Sequence, residues 1–389
     1  MKTVLFLLDG LGDENYREIG NKTPLEYAKT PTFDKMAFKG SVGMLNPLGL
    51  GKEIPIENAS QMLISTLGYD HRKIDISRGV LEAMGAGIKV KEGDLCARVN
   101  FSTIDSDSRI VNLRAKNING PQLEEDINSI KMRADFVFKH TSKHRGVVVF
   151  KGNHSDKITK VDPHIVGEKV PYARGLTKEG WHSADIINEF LNKTHNLLLQ
   201  HPMNLGRKQP VNFLLLRGIG SHIPYVQKFT DRYFKKAVGL AGMPVDLGVM
   251  KFLGMDIVQI PEGIEHELTS KQIKEVLVKN YERAVKKYDF ISMHFKNTDT
   301  PGHDGALREK IRQIEQTDRF IGELDHFRDK RVIVTSDHRT SCKQKAHIPG
   351  PFPTLISPTY QTEKKFGEGW ATDFSIPSHR LMPIVKALG

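Results

Sequence analysis

The sequence predicts an α/β fold: a doubly wound, mostly parallel sheet with helices on both faces, into which an α+β lid domain is inserted. Three observations lead there. Short apolar runs, Val4-Leu5-Phe6-Leu7-Leu8, Phe290-Ile291-Ser292-Met293 and Val332-Ile333-Val334, are bounded by polar loops, the pattern of strands buried on both faces. Helical periodicities of crossover length separate the last two, which implies parallel neighbours. Between about residues 89 and 225 the character changes to strands with long polar connections, and then the strand–helix alternation returns.

Taken in order, residues 4–8 form the first strand. A helix starts at Thr30-Pro31 and runs to about 37, since proline suits the first helical turn. Gly49, Gly51 and Pro55 break the chain before a second helix over 57–67, and Gly68 ends it, as glycine often does. Residues 95–104, 146–151 and 212–217 read as strands, with a helix near 184–191. Thr269 or Ser270 is placed to cap a helix whose apolar face is Ile273, Val276, Leu277, Ala284 and Tyr288. Strand 289–295 follows. A helix bearing Leu307, Ile311, Ile314, Ile321 and Leu324 precedes strand 331–335. The domains are therefore 1–90 with 226–389, and 91–225 inserted, with hinges near 89–93 and 222–227. No internal repeat, heptad run or low-complexity segment stands out.

A chain of 389 residues has room for a large core and two domains. Its 57 basic and 46 acidic residues give a formal charge of +11. The excess is dispersed, with no Lys/Arg block of the kind that tracks nucleic acid, so no nucleic-acid partner is expected. A basic surface is ordinarily just solvated, and it also attracts small anions. Two cysteines, Cys96 and Cys342, argue against a disulfide scaffold and suit a reducing cytoplasm. The opening MKTVLFLLDG is cut short by Asp9 and reads as a strand rather than a signal peptide. No stretch approaches the ~18 apolar residues of a membrane span, and no membrane partner is expected. The oligomeric state has no sequence signature.

Asp and His residues sit just past the apolar runs: Asp9 after the first, Asp299 and His303 after the second, Asp337 and His338 after the third, with His347 a short loop further on. A lone Asp at a strand end is ordinarily a helix cap or turn residue. Together, however, these loops would converge at the carboxyl edge of a parallel sheet. Asp299 and His303 are one helical turn apart, and adjacent Asp337-His338 can aim two donors from one turn. Mixed Asp/His ligation suits Mn²⁺, Zn²⁺ or a similar ion, and a phosphorylated substrate would fit such a site.

Further motifs identify a family. They include Asp9-Gly10-Leu11-Gly12-Asp13, Lys22-Thr23-Pro24-Leu25-Glu26-Tyr27-Ala28, Leu67-Gly68-Tyr69-Asp70 and Arg78-Gly79-Val80-Leu81-Glu82-Ala83. Arg98-Val99-Asn100-Phe101, His144-Arg145-Gly146, Asp162-Pro163-His164, Leu216-Arg217-Gly218 and Lys296-Asn297-Thr298-Asp299-Thr300-Pro301-Gly302-His303 follow, then Asp337-His338 and His347. Through nearly its whole length the chain resembles the archaeal-type, cofactor-independent (2,3-bisphosphoglycerate-independent) phosphoglycerate mutases of the alkaline phosphatase superfamily. The resemblance implies an alkaline-phosphatase-like sheet and two divalent metal ions, Mn²⁺ foremost, with Zn²⁺, Co²⁺ or Mg²⁺ also compatible. Asp299, His303 and His347 would hold one ion. Asp9, Asp337 and His338 would hold the other together with a nucleophilic serine. That serine would take the phosphoryl group from one carbon of phosphoglycerate and return it to the other. The inserted domain would close over the substrate and exclude water. Arg98, Arg217 and Lys296 are the implied substrate-binding residues, arginine suiting a ligand with phosphate and carboxylate. Asp162 and His144 are the implied acid/base groups, with Lys296 also in a catalytic role.

The chain departs from the family at the nucleophile. The family reads Pro-Gly-Ser-Asp-Thr-Ala-His before Leu-Gly-Tyr; here Pro55-Ile56-Glu57-Asn58-Ala59-Ser60-Gln61-Met62 precedes Leu67. Counted back from Gly68, the serine position falls on Ala59; counted forward from Pro55, on Glu57. Ser60 is one residue late in the first register, a rotation of about 100° on a helix. Three readings follow. Ser60 serves after a local shift and the chain is a mutase. Or the metals remain without a phosphoserine step, with Glu57 or Asn58 near an ion, as in a hydrolase or a phosphonyl or phosphonoformyl transferase of phosphonate biosynthesis. Or the chain is a non-catalytic, metal-stabilised binding protein.

Overall fold

The computed structural model describes residues 1–47, 59–324, 329–359 and 364–388. Pro55, Ile56, Glu57 and Asn58 lie outside them. The strands are β1 (Lys2–Leu8), β2 (Ser41–Asn46), β3 (Leu95–Ile104), β4 (Ile110–Asn112), β5 (Phe136–Ser142), β6 (Arg145–Phe150), β7 (Phe213–Gly220), β8 (Ala237–Ala241), β9 (Asp256–Gln259), β10 (Phe290–Phe295), β11 (Lys330–Thr335), β12 (Arg339–Ser341), β13 (Ala346–Ile348), β14 (Phe352–Ser357) and β15 (Ser375–Pro377). The helices are α1 (Pro24–Tyr27), α2 (Pro31–Phe38), α3 (Ala59–Thr66), α4 (Arg78–Gly85), α5 (Gly120–Asn128), α6 (Lys178–Leu199), α7 (Phe229–Arg232), α8 (Pro244–Phe252), α9 (Lys271–Lys287), α10 (Asp299–Asp304), α11 (Leu307–Glu323) and α12 (Leu381–Ala387).

Two compact units result: Met1–Lys73 with Val226–Gly389, and Ile74–Tyr225. The first holds an eight-stranded sheet of order β15-β2-β14-β11-β1-β10-β8-β9. Its centre is parallel: β1 pairs with β10 and β11, and β10 with β8. Only β14 runs against its neighbours β11 and β2. Alternate residues of the central strands face opposite ways. On one face Val4, Phe6, Met293 and Phe295 join Leu277 and Tyr281 of α9 and Ile314 and Phe320 of α11 in one core. On the other, the Phe290 ring lies tilted 4.8 Å from that of Phe229 in α7, and His294 meets Asp246 of α8. Helices thus cover both faces.

The second unit is built on an antiparallel sheet in which β3 lies between β6 and β7, and β5 pairs with β6. Ala97, Val99 and Phe101 pack one face against α5 and α6. The sequence placed residues 74–90 with the first domain, but they fold here. The reason is α4: its Val80 and Ala83 need a partner, and they bury with Cys96, Val147 and Val149 on the opposite face. The expected hinge at 89–93 likewise lies inside this unit, where Glu92 accepts hydrogen bonds from His222 Nδ1 and the Ile223 amide.

Smaller differences are instructive. Helix 184–191 is the middle of the 22-residue α6, whose polar first turns are capped by Thr177. Ser270 does occupy the N-cap of α9 but makes no side-chain cap, and Val276 is exposed while Tyr281 is in the core. Helix 57–67 is described as α3 from Ala59, with Gly68 at φ +93° just past its end. Among the described residues no helix is long and apolar enough to cross a membrane, and both cysteines are free and buried.

Candidate functional site

In the first unit the loops after β1, β10 and β11 meet, because these are three adjacent parallel strands in register: Leu7 pairs with both His294 and Thr335. The turn after β1 is tight. Gly10 has φ +66°, and a Cβ there would lie 2.4 Å from Thr340 Oγ1 and 3.0 Å from Asp299 Oδ1, so only glycine lets Asp9 approach these loops. After β10 the chain coils into α10, setting His303 Nε2 3.3 Å from Asp299 Oδ1. The β12–β13 hairpin pairs Thr340 with His347 and brings His347 Nε2 to 3.4 Å from the same oxygen.

Three sets of donor atoms emerge, each within 4.8 Å of one another: Asp299, His303 and His347; Asp9, Asp299 and His338; and Asp9, His294 and Asp337. The six metal-ligand residues expected after the apolar runs therefore all converge. Within the set expected for the second ion, His338 Nε2 is 2.7 Å from Asp9 and 3.8 Å from Asp337. His294 joins Asp9 and Asp337 unforeseen. Its signal was thin: it lies inside an apolar strand, where a histidine reads as a core residue.

Supporting bonds hold the donors in place. Thr340 Oγ1 donates to Asp299 Oδ1 at 2.7 Å and lies 3.2 Å from His338 Nδ1. Ser336 Oγ lies 2.7 Å from the carbonyls of both Leu8 and His338, tying β1 to the β11 loop. The wholly buried Lys310 donates to Asp13 Oδ2, the Gly12 carbonyl and the Thr340 carbonyl.

The electrostatics are those of a crowded anionic pocket. Lys296 Nζ lies 2.5 Å from Asp9 Oδ2 and 3.0 Å from Asp299 Oδ2, so it is the internal counter-ion of this cluster. Burial opposes ionisation of Asp9, but the Lys296 ammonium outweighs it and holds the carboxyl below its ordinary range. Asp337 is pushed up to about 6 by burial and by the nearby Asp9 charge. Burial alone would lower His338, yet Asp337 and Asp9 raise it to about 10. Asp9 Oδ1 and His338 Nε2 are buried against each other at 2.7 Å, whereas His294 Nε2 is buried without a hydrogen-bond partner, which is costly unless a ligand completes it. Clustered carboxylate oxygens and imidazole nitrogens of this kind fit divalent cations.

Ser60 is the second residue of α3 and is half-buried. α3 packs on α8, the helix whose Asp246 bonds His294.

The second unit gathers the remaining expected residues. Arg98 of β3 is the cross-strand partner of Arg217 on β7, and Asn100, two residues along, is the partner of Arg145 on β6. Directly opposed residues share a face, so one sheet face carries Arg98, Asn100, Arg145 and Arg217. Buried Glu82 of α4 bonds Arg78 at 3.2 Å and lies 3.9 Å from Arg98. Asp162 lies 3.6 Å from Arg217 and 3.4 Å from His164. Burial, then the Arg78 charge, brings Arg98 down to about 9. Burial, then Arg145, lowers His144 to about 4, so it is neutral at pH 7. Arg98 Nε, Asn100 Oδ1 and Asp162 Oδ2 are buried without hydrogen-bond partners. This is a preformed cationic cradle suited to a small anion with its own donor group.

Known proteins resemble this arrangement over its full length. A family model described as 2,3-bisphosphoglycerate-independent phosphoglycerate mutase matches residues 37–204. An enzyme of that name from Methanosphaera stadtmanae is 36% identical over 387 residues, 95% of this chain and 92% of its own. One from Pyrococcus furiosus is 36% identical over 406 residues, 100% of this chain and 97% of its own. Among solved structures, a protein from Pyrococcus horikoshii superposes with a TM-score of 0.83 at 30% identity, covering 100% of this chain and 97% of its own. The cofactor-independent phosphoglycerate mutase of Thermoplasma acidophilum superposes with a TM-score of 0.66 at 28% identity, covering 100% of each. With the fold, the strand-end donors and these relatives in agreement, the chain belongs to the 2,3-bisphosphoglycerate-independent phosphoglycerate mutase family.

Proposed function

We propose that this protein interconverts 3-phosphoglycerate and 2-phosphoglycerate by metal-dependent phosphoryl transfer, without 2,3-bisphosphoglycerate. The observation that carries this reading is the buried donor cluster at the ends of β1, β10 and β11, with the unpartnered Nε2 of His294 aimed into it. Two divalent ions fit it, one on Asp299, His303 and His347 and one on the side of Asp9, Asp337 and His338. When bound they would polarise phosphoryl oxygens and neutralise the charge of the transferring group. Mn²⁺ is the proposed ion, since carboxylate and imidazole donors accept it readily.

The chain's own groups supply the rest. Ser60 is the proposed nucleophile. Its oxygen loses its proton and bonds to phosphorus as the substrate's C–O–P ester breaks, and the departing alkoxide takes up a proton in exchange, so that the net proton count is unchanged. The other hydroxyl of the glycerate then attacks phosphorus, freeing Ser60. Arg98 and Arg217 bind the carboxylate or phosphate of the substrate bidentately. Neutral His144 is poised to accept a proton and Asp162 to orient one. Lys296 balances the carboxylates of Asp9 and Asp299.

A second reading rests on the sequence before Ser60, which lacks the family's Ser-Asp-Thr-Ala-His register. In it the ions remain, and the phosphoryl or phosphonyl group passes directly between two different molecules. Phosphorus NMR of Mn²⁺-treated protein with 3-phosphoglycerate alone separates the two. The mutase reading expects 2-phosphoglycerate, an acid-stable phosphoserine at Ser60, and loss of both in Ser60→Ala. An unchanged spectrum with metal bound would overturn it in favour of a two-substrate transfer.

A further inference from the structure

We propose that His294 is itself a metal ligand, donating Nε2 to the ion held by Asp9 and Asp337, with Asp246 fixing its ring. The proposal rests on the metal-dependent reading above and adds a residue and a supporting carboxylate to it.

His294 lies in β10, five residues before Asp299, with its side chain only 3% exposed. Its Nδ1 is 3.0 Å from Asp246 Oδ2, in the first turn of α8. A carboxylate on one ring nitrogen sets the tautomer, leaving the lone pair of the other nitrogen to point away from it. That second nitrogen is buried and has no hydrogen-bond partner. It lies 3.9 Å from Asp9 Oδ2 and within 4.8 Å of donor oxygens of both Asp9 and Asp337. Carboxylate, imidazole and metal in series is the usual way a protein orients a ligating histidine and raises its basicity.

The plain alternative is that His294 and Asp246 only pin α8 to the sheet. That role uses Nδ1 alone. It leaves Nε2 stripped of water and aimed at two carboxylates, a loss of about 1–3 kcal/mol for an unsatisfied buried polar atom. A cation between these three groups satisfies all of them.

The test is nitrogen NMR of the full chain carrying ¹⁵N-histidine, compared before and after Zn²⁺ loading, so that no turnover is required. Four ring nitrogens moving to metal-bound shifts, one of them missing in His294→Gln, would establish the ligand. Asp246→Asn, which preserves shape, should weaken one of two Zn²⁺ ions by roughly 10–100-fold and spare the other. Three metal-bound nitrogens in the wild-type protein, or unchanged affinity in Asp246→Asn, would overturn the assignment of His294 while leaving the two-ion reading intact. No shifted nitrogen at all would overturn both.

Discussion

The two units each carry a buried polar cluster on a sheet, and the clusters have opposite sign. In the first, three carboxylates crowd together with a lysine and histidines between them. In the second, arginines crowd one sheet face with Glu82 and Asp162 interleaved. Neither arrangement is a device for stability, because buried like charges cost free energy that their counter-ions only partly offset. Each makes sense as a binding site in its own right, one suited to cations and the other to an anion. The construction differs too. The acidic cluster is set by loops after parallel strands, whereas the basic one comes from cross-strand pairs within a sheet.

This contrast can be broken at several points. The largest effect is expected from Asp337→Ala. It should remove one ion and lower kcat by about 1,000-fold or more, a barrier change of ~4 kcal/mol. Full activity with both ions retained, measured by metal analysis beside turnover, would sink the two-ion model. Lys310→Met should come next, acting on stability. It strands the carboxylate of Asp13, itself fully buried, and stranding a buried charge costs about 3–5 kcal/mol. Denaturant unfolding reads this, and adding Asp13→Asn should recover much of the loss. A midpoint unchanged in the single variant would mean that Lys310 does not clamp the loops of Gly12 and Thr340.

In the basic cluster Arg98→Lys should raise KM by roughly 10–100-fold, since lysine cannot replace a bidentate contact. Zn²⁺ affinity should stay unchanged, and a parallel fall in metal binding would blur the division of labour between the units. The smallest effect sharpens the charge picture. His144 in the folded protein titrates near 4 because of burial and then Arg145, below its unfolded value near 6.5. Its contribution to stability is therefore fully present above pH 6.5 and is lost as pH falls from 6.5 towards 4. Inorganic phosphate bound among the arginines should raise that titration point, followed by histidine proton NMR. Identical curves with and without phosphate would argue against the cradle.

Much of this was legible in the residues. The central strands announced themselves as apolar runs, and Asp9, Asp299, His303, Asp337, His338 and His347 stood directly behind them. Except for His347, which the β12–β13 hairpin carries in, their convergence at one edge follows from parallel topology. The helix face Leu307, Ile311, Ile314, Ile321 and Leu324 is buried as its spacing implies. The boundary at residue 90 was misplaced because α4 looks self-contained in sequence. Its membership of the second unit depends on Cys96, Val147 and Val149, which come later in the chain.

By itself, then, the sequence determined the fold class, the family and which acidic and histidine side chains stand at the strand ends, because periodicity and strand-end placement are local and survive without coordinates. Only the tertiary structure decided the pairing among those side chains. It joined Lys296 to Asp9 and Asp299, set His338 closer to Asp9 than to Asp337, and put His294, an apparent core residue, within reach of Asp9 and Asp337. These outcomes depend on strand register and on the approach of α8 to β10. Apart from Lys296–Asp299, they are contacts between residues tens to hundreds of positions apart, and no pattern along the chain encodes them.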